Sequence, residues 1–277
     1  MRQTVAIAKP LGFCAAMVWA WGWWAGLALA GPPLETDDPE TPGEHGWEVN
    51  LSDQLERTRR QFRMEAPRID INYGRRENDQ WKLELPVTFL DPEGGESHWG
   101  VGDVLLGWKH RFLDEEDRGF MMSVYPQMLV PTGSKRLDLG KGRAELLLPV
   151  EVGRHFFDER LFVYGEAGYS VALEQSDADF WKLGLAAQWK ATEKLSWMVE
   201  AGAFVFPRAG EPDDPFFKVG FQYQFREHVS LIASAGRSLR DGRSGTPEFS
   251  SYLGLQFTWG GHKPEDENPG NGKGPKR

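Results

Sequence analysis

The sequence predicts an all-β fold, a transmembrane antiparallel up-and-down β-barrel of about twelve strands over residues 45–259. Three observations predict it. Apolar and polar residues alternate at period two, the alternating runs are long enough to cross a bilayer, and the connections between them sort by length.

The first element is not a strand. Arg2 and Lys9 precede an apolar stretch from Leu11 to Leu27, and Ala28-Leu29-Ala30 ends it with a small-x-small site before Gly31. This is the pattern of a cleaved secretory signal over 1–30, with a periplasmic N-terminal segment over 31–44. A spanning helix needs about 20 apolar residues, but the Ala-x-Ala ending and the Gly-Pro-Pro that follows disfavour one. Cys14 is the only cysteine and lies inside the signal, so the mature chain would have no thiol for a disulfide or a metal. Phe13, bulky where a lipoprotein needs a small residue, argues against acylation at Cys14. Arg2 and Lys9 are the signal's only charges, so cleavage takes the formal charge from −9 to −11. That acidity disfavours nucleic acid as a partner, because phosphate binding needs a basic surface.

The strands follow in order at 45–53, 66–75, 79–90, 99–112, 118–131, 143–154, 160–172, 179–190, 194–206, 214–226, 228–237 and 248–259. Trp81, Leu83, Leu85, Val87 and Phe89 alternate with Lys82, Glu84 and Thr88. Phe217, Val219, Phe221, Tyr223 and Phe225 alternate with Lys218, Gly220, Gln222 and Gln224. Period two puts each set on one face. Most runs exceed the ~5–6 residues usual in soluble sheets. An even count returns both ends to one side, which places the termini in the periplasm.

Odd connections (54–65, 91–98, 132–142, 173–178, 207–213, 238–247) exceed nearly all the even ones (76–78, 113–117, 155–159, 191–193 and a break near Glu227). Long outer loops alternating with short periplasmic turns mark a barrel. Extending the apolar parity outward leaves His110 as the one ionisable side chain there other than Tyr. The opposite parity collects Glu48, Asp70, Lys82, Glu84, Asp103, Lys109, Arg111, Glu145, Glu151, Glu166, Lys182, Glu200 and Lys218. A charge facing lipid at mid-depth costs about 2–4 kcal/mol, whereas a wet lumen accepts it. Trp47, Trp81, Trp181, Trp189, Phe257 and Trp259 lie towards strand ends, as interface girdles require. A soluble sandwich would show the same parity but not the long strands or sorted loops. Residues 260–277, rich in Gly, Pro, Asn and Lys, predict a disordered tail.

Gly31-Pro32-Pro33-Leu34-Glu35-Thr36-Asp37-Asp38-Pro39-Glu40-Thr41 resembles the mature start of a proteobacterial outer-membrane, transporter-like family labelled "phenol degradation meta-pathway". Gly100 to Val104, Lys109-His110-Arg111-Phe112, Pro131-Thr132-Gly133 and Val163 to Tyr169 fit it too. The resemblance implies an outer-membrane barrel passing small, hydrophobic or aromatic compounds. The chain departs from the pattern in carrying a tail beyond Trp259.

Thr36-Asp37-Asp38-Pro39 reads first as a capped turn, in which Asp and Thr side chains bond nearby amides. A cation site and a short plug in the periplasmic mouth are the alternatives. Asp103, Lys109 and Arg111, with Lys82 and Glu84 on the preceding strand, read as pore-lining charges that either select by charge or pair and close the barrel. The basic loop with Lys135 and Arg136, and Arg57, Arg59, Arg60 and Arg63, is read as solvated, with lipopolysaccharide phosphates as the alternative partner. No nucleotide loop, Gly-x-Ser-x-Gly elbow or zinc-hydrolase helix motif occurs, so neither an enzyme nor a cofactor is expected. His110 with Ser97 is the remaining catalytic pairing to test. The expected function is passive passage of small solutes through an outer-membrane channel. Lipopolysaccharide, the barrel-assembly machinery and the solute are its partners. A structural or surface-binding barrel is the alternative.

Overall fold

In the computed structural model, residues 32–173, 179–207, 213–240 and 246–261 are described. The expected signal over 1–30 and nearly all of the expected tail over 260–277 lie outside the described residues.

Among these residues the chain forms β1 (Trp47–Arg57), β2 (Gln61–Arg76), β3 (Asp79–Pro92), β4 (His98–Val101), β5 (Val104–Leu113), β6 (Met121–Val124), β7 (Gln127–Val130), β8 (Glu145–Phe156), β9 (Leu161–Ala172), β10 (Phe180–Lys190), β11 (Leu195–Val205), β12 (Asp214–Arg226), β13 (Val229–Ser238) and β14 (Phe249–Trp259). All pairings are antiparallel. β1 pairs with β14 from Trp47↔Trp259 to Arg57↔Phe249, which closes the sheet and removes its edges. β4 and β5 both pair with β3, and β6 and β7 both pair with β5 and β8. The fourteen strands therefore make twelve staves, each lying where the alternation predicts a strand. Two staves are broken, at Gly102-Asp103 and at Tyr125-Pro126. Pro126 has no N–H to give the ladder.

The wall has two unlike faces. Leu185, central in β10, is 61 % exposed on the outside, and Val150, Val199, Val219 and Leu253 share that face. Inside, the buried side chains are mostly polar, with Lys109 at 1 % exposed, Glu151 at 0 % and Asn50 at 0 %. A sandwich core would invert this, with apolar groups inside. The outer face carries more charge than expected, since Asp53, Arg154 and Arg237 are exposed there besides His110. Arg154 and Arg237 lie near strand ends, where long cationic side chains reach the interface. The Arg154 guanidinium lies 5.1 Å over Phe156. Asp53 sits at the β1–β2 register shift between Ser52 and Gln54.

One connection also differs. β1 and β2 extend past the expected boundary, and their hairpin closes over 58–60 rather than 54–65. Thr58 Oγ1 accepts from the amides of Arg60 and Gln61, both at 3.1 Å, which caps so short a turn. Of the even connections, 114–120 is the longest because it carries a one-turn helix, α1 (Glu115–Arg118).

Leu185→Arg distinguishes a lipid-facing wall from a water-facing one. Folding into lipid vesicles, followed by urea titration and gel mobility, should lose about 2–4 kcal/mol. A soluble protein would tolerate an arginine at so exposed a position with little change.

Candidate functional site

The segment before β1 threads the lumen. The sequence predicts a periplasmic segment over 31–44, with a short plug in the periplasmic mouth as an alternative for Thr36 to Pro39. The chain enters beside the β2–β3 turn, where Thr41 Oγ1 donates to the Glu77 carbonyl at 2.5 Å. Glu40 approaches His155 of β8 at 4.0 Å, and the Lys109 ammonium of β5 meets Asp37 Oδ1 at 3.0 Å and the Asp38 carbonyl. The Asp37 amide donates to Glu166 of β9 at 3.0 Å, and the Glu35 and Thr36 amides donate to Glu200 of β11. Glu35 pairs with Lys218 of β12 at 2.5 Å, and Ser234 of β13 donates to the Pro33 carbonyl at 2.6 Å. The staves of β5 and β12 are six apart in the ring of twelve, so this stretch crosses a full diameter.

Local chemistry gives the segment its shape. The Asp38 amide donates to Asp37 Oδ1 at 2.9 Å and the Glu40 amide to Asp38 Oδ1 at 2.7 Å, so a side-chain-capped turn is present inside the plug. Gly184 supplies the room, because a Cβ there would come 2.0 Å from Thr36 Oγ1. Leu34 adds the apolar contact, packing against Met121, Phe162, Tyr164 and Ala186. The Lys218 ammonium beside it holds the Glu35 carboxyl down at about 2. That pair therefore contributes fully above the ordinary value of 4.5 and is lost only as pH falls towards about 2.

The pore-lining candidates do not form one ring. Lys109, Glu151, Glu166, Glu200 and Lys218 gather around the plug. Lys109 lies 3.2 Å from Glu151, and Lys182 lies 2.9 Å from Glu166. Lys82 and Glu84 belong to a second network on β2 and β3. Lys82 meets Asp70 at 2.9 Å, and Arg68 meets Glu84 at 2.6 Å. Glu48 accepts from Asn50 at 3.0 Å nearby. Asp103 and Glu145 serve the 131–144 connection instead. Asp103 fills the break between β4 and β5 and accepts from the amides of Gly133 at 2.9 Å and Lys141 at 2.6 Å, while Glu145 takes Lys141 and Arg143. Arg111 lies at the opposite end, 2.6 Å from Asp114.

That connection folds inward over the mouth. Arg63 donates to the carbonyls of Asp138 at 2.9 Å and Leu139 at 3.2 Å, so it belongs to the mouth and not to an outer basic patch. A cavity of about 490 Å³ remains beside it, lined by Gln54, Glu56, Gln61, Arg63, Glu65 and Lys141 among others. Ser97 and His110 are at opposite ends of the wall. Ser97 bonds Asp91 at 2.6 Å and His110 bonds Asp79 at 2.9 Å, so they make no catalytic pair. Among the described residues no group of His, Cys, Asp and Glu is placed to hold a metal ion, and no helix is long and apolar enough to cross a membrane.

The family model described as "Putative MetA-pathway of phenol degradation" matches residues 71–264. The chain belongs to this family. The match starts within β2, so the plug and β1 lie outside it. Among solved structures, the chain is similar to an outer-membrane channel from Pseudomonas putida F1 at TM-score 0.60 and 15% identity, covering 81% of this chain and 98% of that one. It is also similar to the KdgM porin, solved with disordered oligogalacturonate, at TM-score 0.53 and 8% identity over 77% and 99% of the two chains. The NanC porin gives TM-score 0.53 and 10% identity over 76% and 98%. These likenesses show the outer-membrane barrel fold. No curated protein matches the chain.

Within this member of the family, sequence reading missed the ring-bearing side of the lumen. Phe180, Phe204 and Phe216 share the inward parity of Lys182, Glu200 and Lys218, a signal that was present in the alternation. The plug's partners had no such signal, because Glu35 and Lys218 are 183 residues apart. Lys109→Met leaves Asp37 and Glu151 facing each other with no cation between them. Urea melts of the folded barrel should show a loss of about 3–5 kcal/mol, partly recovered by adding Glu151→Gln. A loss below about 1 kcal/mol, the worth of an exposed pair, contradicts the buried triad.

Proposed function

We propose that this chain is an outer-membrane channel for passive passage of small solutes, held shut at mid-lumen by its own residues 33–41. The observation that carries the reading is how that segment is held. Its hold on the wall is mainly ion pairs and hydrogen bonds to groups of a hydrophilic lumen, not burial in an apolar core. Such contacts exchange for water when the segment leaves, so their net worth is modest for their number. A segment built only to stabilise the barrel would bury apolar surface instead.

Other parts of the reading rest on the sequence. The 1–30 signal directs export, the assembly machinery inserts the barrel, and the long connections face outward with the termini in the periplasm. Lys135 and Arg136, exposed beside the mouth, are the side chains offered to lipopolysaccharide phosphates. The family and the similar channels support a solute-passing role over a catalytic one. A purely structural barrel is the second reading, favoured by the breadth of the plug's contacts.

Planar-bilayer recordings separate the two. The mature wild-type barrel should give rare or small steps, and a variant lacking residues 31–40 should give frequent steps of at least several-fold larger conductance. If the truncated barrel folds, as judged by heat-modifiable mobility, and stays silent, the channel reading fails.

A further inference from the structure

Most of the wall groups that hold the plug are sealed from water, as Lys109, Lys218, Glu166 and Glu200 all are. One contact differs. His155, at the end of β8 beside which the plug enters, is 24 % exposed and faces Glu40, itself 21 % exposed. Among the described contacts of residues 33–41 with the wall, it is the one that water reaches and that carries a histidine. Histidine is the side chain whose charge ordinarily changes between pH 5 and 8.

Both partners are fixed in place. Gly153 lies two residues before His155 on the same inward face, and a Cβ there would come 2.9 Å from Pro39 Cγ, so this glycine seats the residue before Glu40. Thr41, the residue after it, is tied to the Glu77 carbonyl. The imidazole is stacked on Phe162 at 4.2 Å and 11°, which sets its plane. Glu115 then takes the His155 amide at 2.9 Å with one oxygen and lies 2.8 Å from Nδ1 with the other. Glu115 is the first residue of α1, the turn of helix that lengthens its connection. α1 buries no side chain, so packing does not account for it, whereas its first residue fixes this ring.

The protonation state decides what the ring offers to the plug. An ionised carboxylate only accepts, so the proton that meets Glu115 sits on Nδ1. In the neutral ring Nε2 is then a lone pair aimed at Glu40, 4.0 Å away. In the charged ring the same atom carries an N–H and shares a positive charge. The charged groups that face the imidazole are Glu40 of the plug and Glu115 of α1, while β9 faces it with the Phe162 ring. Arg111 and Lys109 of β5 also act on Glu40. We propose that His155 is a proton-operated latch on the plug, a reading that rests on the channel closed by residues 33–41. Charged, the ring draws Glu40 to the wall and keeps the plug seated. Neutral, it leaves that corner to Pro39 and Thr41, and the plug departs more readily as pH rises.

Thr36 is buried when the plug is seated, so Thr36→Cys reports release through its rate of reaction with a maleimide. Thiol reactivity itself rises with pH. Rates on the folded mature barrel at pH 5.5 and pH 8 are therefore read relative to the same reporter carrying His155→Gln, which is neutral at both. Against that reference, the histidine should slow labelling about 2–5-fold at pH 5.5, the size of a partly exposed ion pair, and have little effect at pH 8. Glu40→Gln should remove the slowing, and it replaces His155→Gln as the reference if that variant fails to fold. His110→Gln, whose ring bonds Asp79 away from the plug, should keep the slowing. A relative rate that is the same at both pH values, or a slowing that survives Glu40→Gln, overturns the latch. Bilayer recordings at the same two pH values report on the channel reading separately. Conductance without a pH response in labelling sinks the latch alone, and a pH response without conductance supports the latch while removing the channel.

Discussion

Lys109 is the ion around which the lumen is arranged. Its ammonium is nearly sealed from solvent and lies between Glu151 of the wall and Asp37 and the Asp38 carbonyl of the plug. A buried cation tolerates that position only with close counter-charge, and a buried carboxylate such as Glu151 requires the same in return. The plug supplies one of those counter-charges. Removing it leaves the wall intact but leaves its central cation with one carboxylate fewer, and likewise strips Lys218 of Glu35. Seating of the plug and neutralisation of these charges are therefore one event.

The closed wall makes this arrangement possible. With β1 bonded to β14, every side chain of the staves faces either outward or inward, and the outward half is apolar over its middle except at Asp53. Charged groups are thereby forced into a narrow cylinder, where they must pair across short distances. One of the two broken staves, at Asp103, bonds other chain inside this cylinder. At Gly102-Asp103 the wall gives up ladder bonds, and the Asp103 carboxylate spends its oxygens on the 131–144 connection, which narrows the mouth. The plug crosses the middle, and the inward connection is held at one end by Arg63 and Asp103. A cavity of about 490 Å³ lies beside that connection.

The strand plan was legible because period-two alternation depends only on near neighbours in sequence. Twelve staves and the inward parity of Lys82, Glu84, Lys109, Glu151, Glu166, Glu200 and Lys218 could be read that way. The β1–β2 hairpin could not, because Leu55 to Met64 mixes polar and apolar residues and its strand character comes from pairing with β14 and β3. The plug was half legible. Asp37 and Asp38 do cap a turn, as their chemistry suggests, but that the turn lies inside the barrel depends on Glu166, Glu200 and Lys218, all more than a hundred residues away. Asp103 was assigned to a ring of charges by parity alone, and the break in its stave gave it a different task.

The central claim is that residues 33–41 lie inside the cylinder, and a designed cross-link tests it most directly. The only cysteine is Cys14, within the expected signal, so cysteines introduced into the mature chain would report without background. The Glu35 carboxylate of the plug and the Lys218 ammonium of the wall meet at 2.5 Å, so cysteines at these two positions face each other. Glu35→Cys with Lys218→Cys should be bridged by a short bifunctional methanethiosulfonate in the folded barrel, giving a gel shift that a reductant reverses. Two thiols that each react singly and never bridge, in a barrel that shows heat-modifiable mobility, would contradict the account.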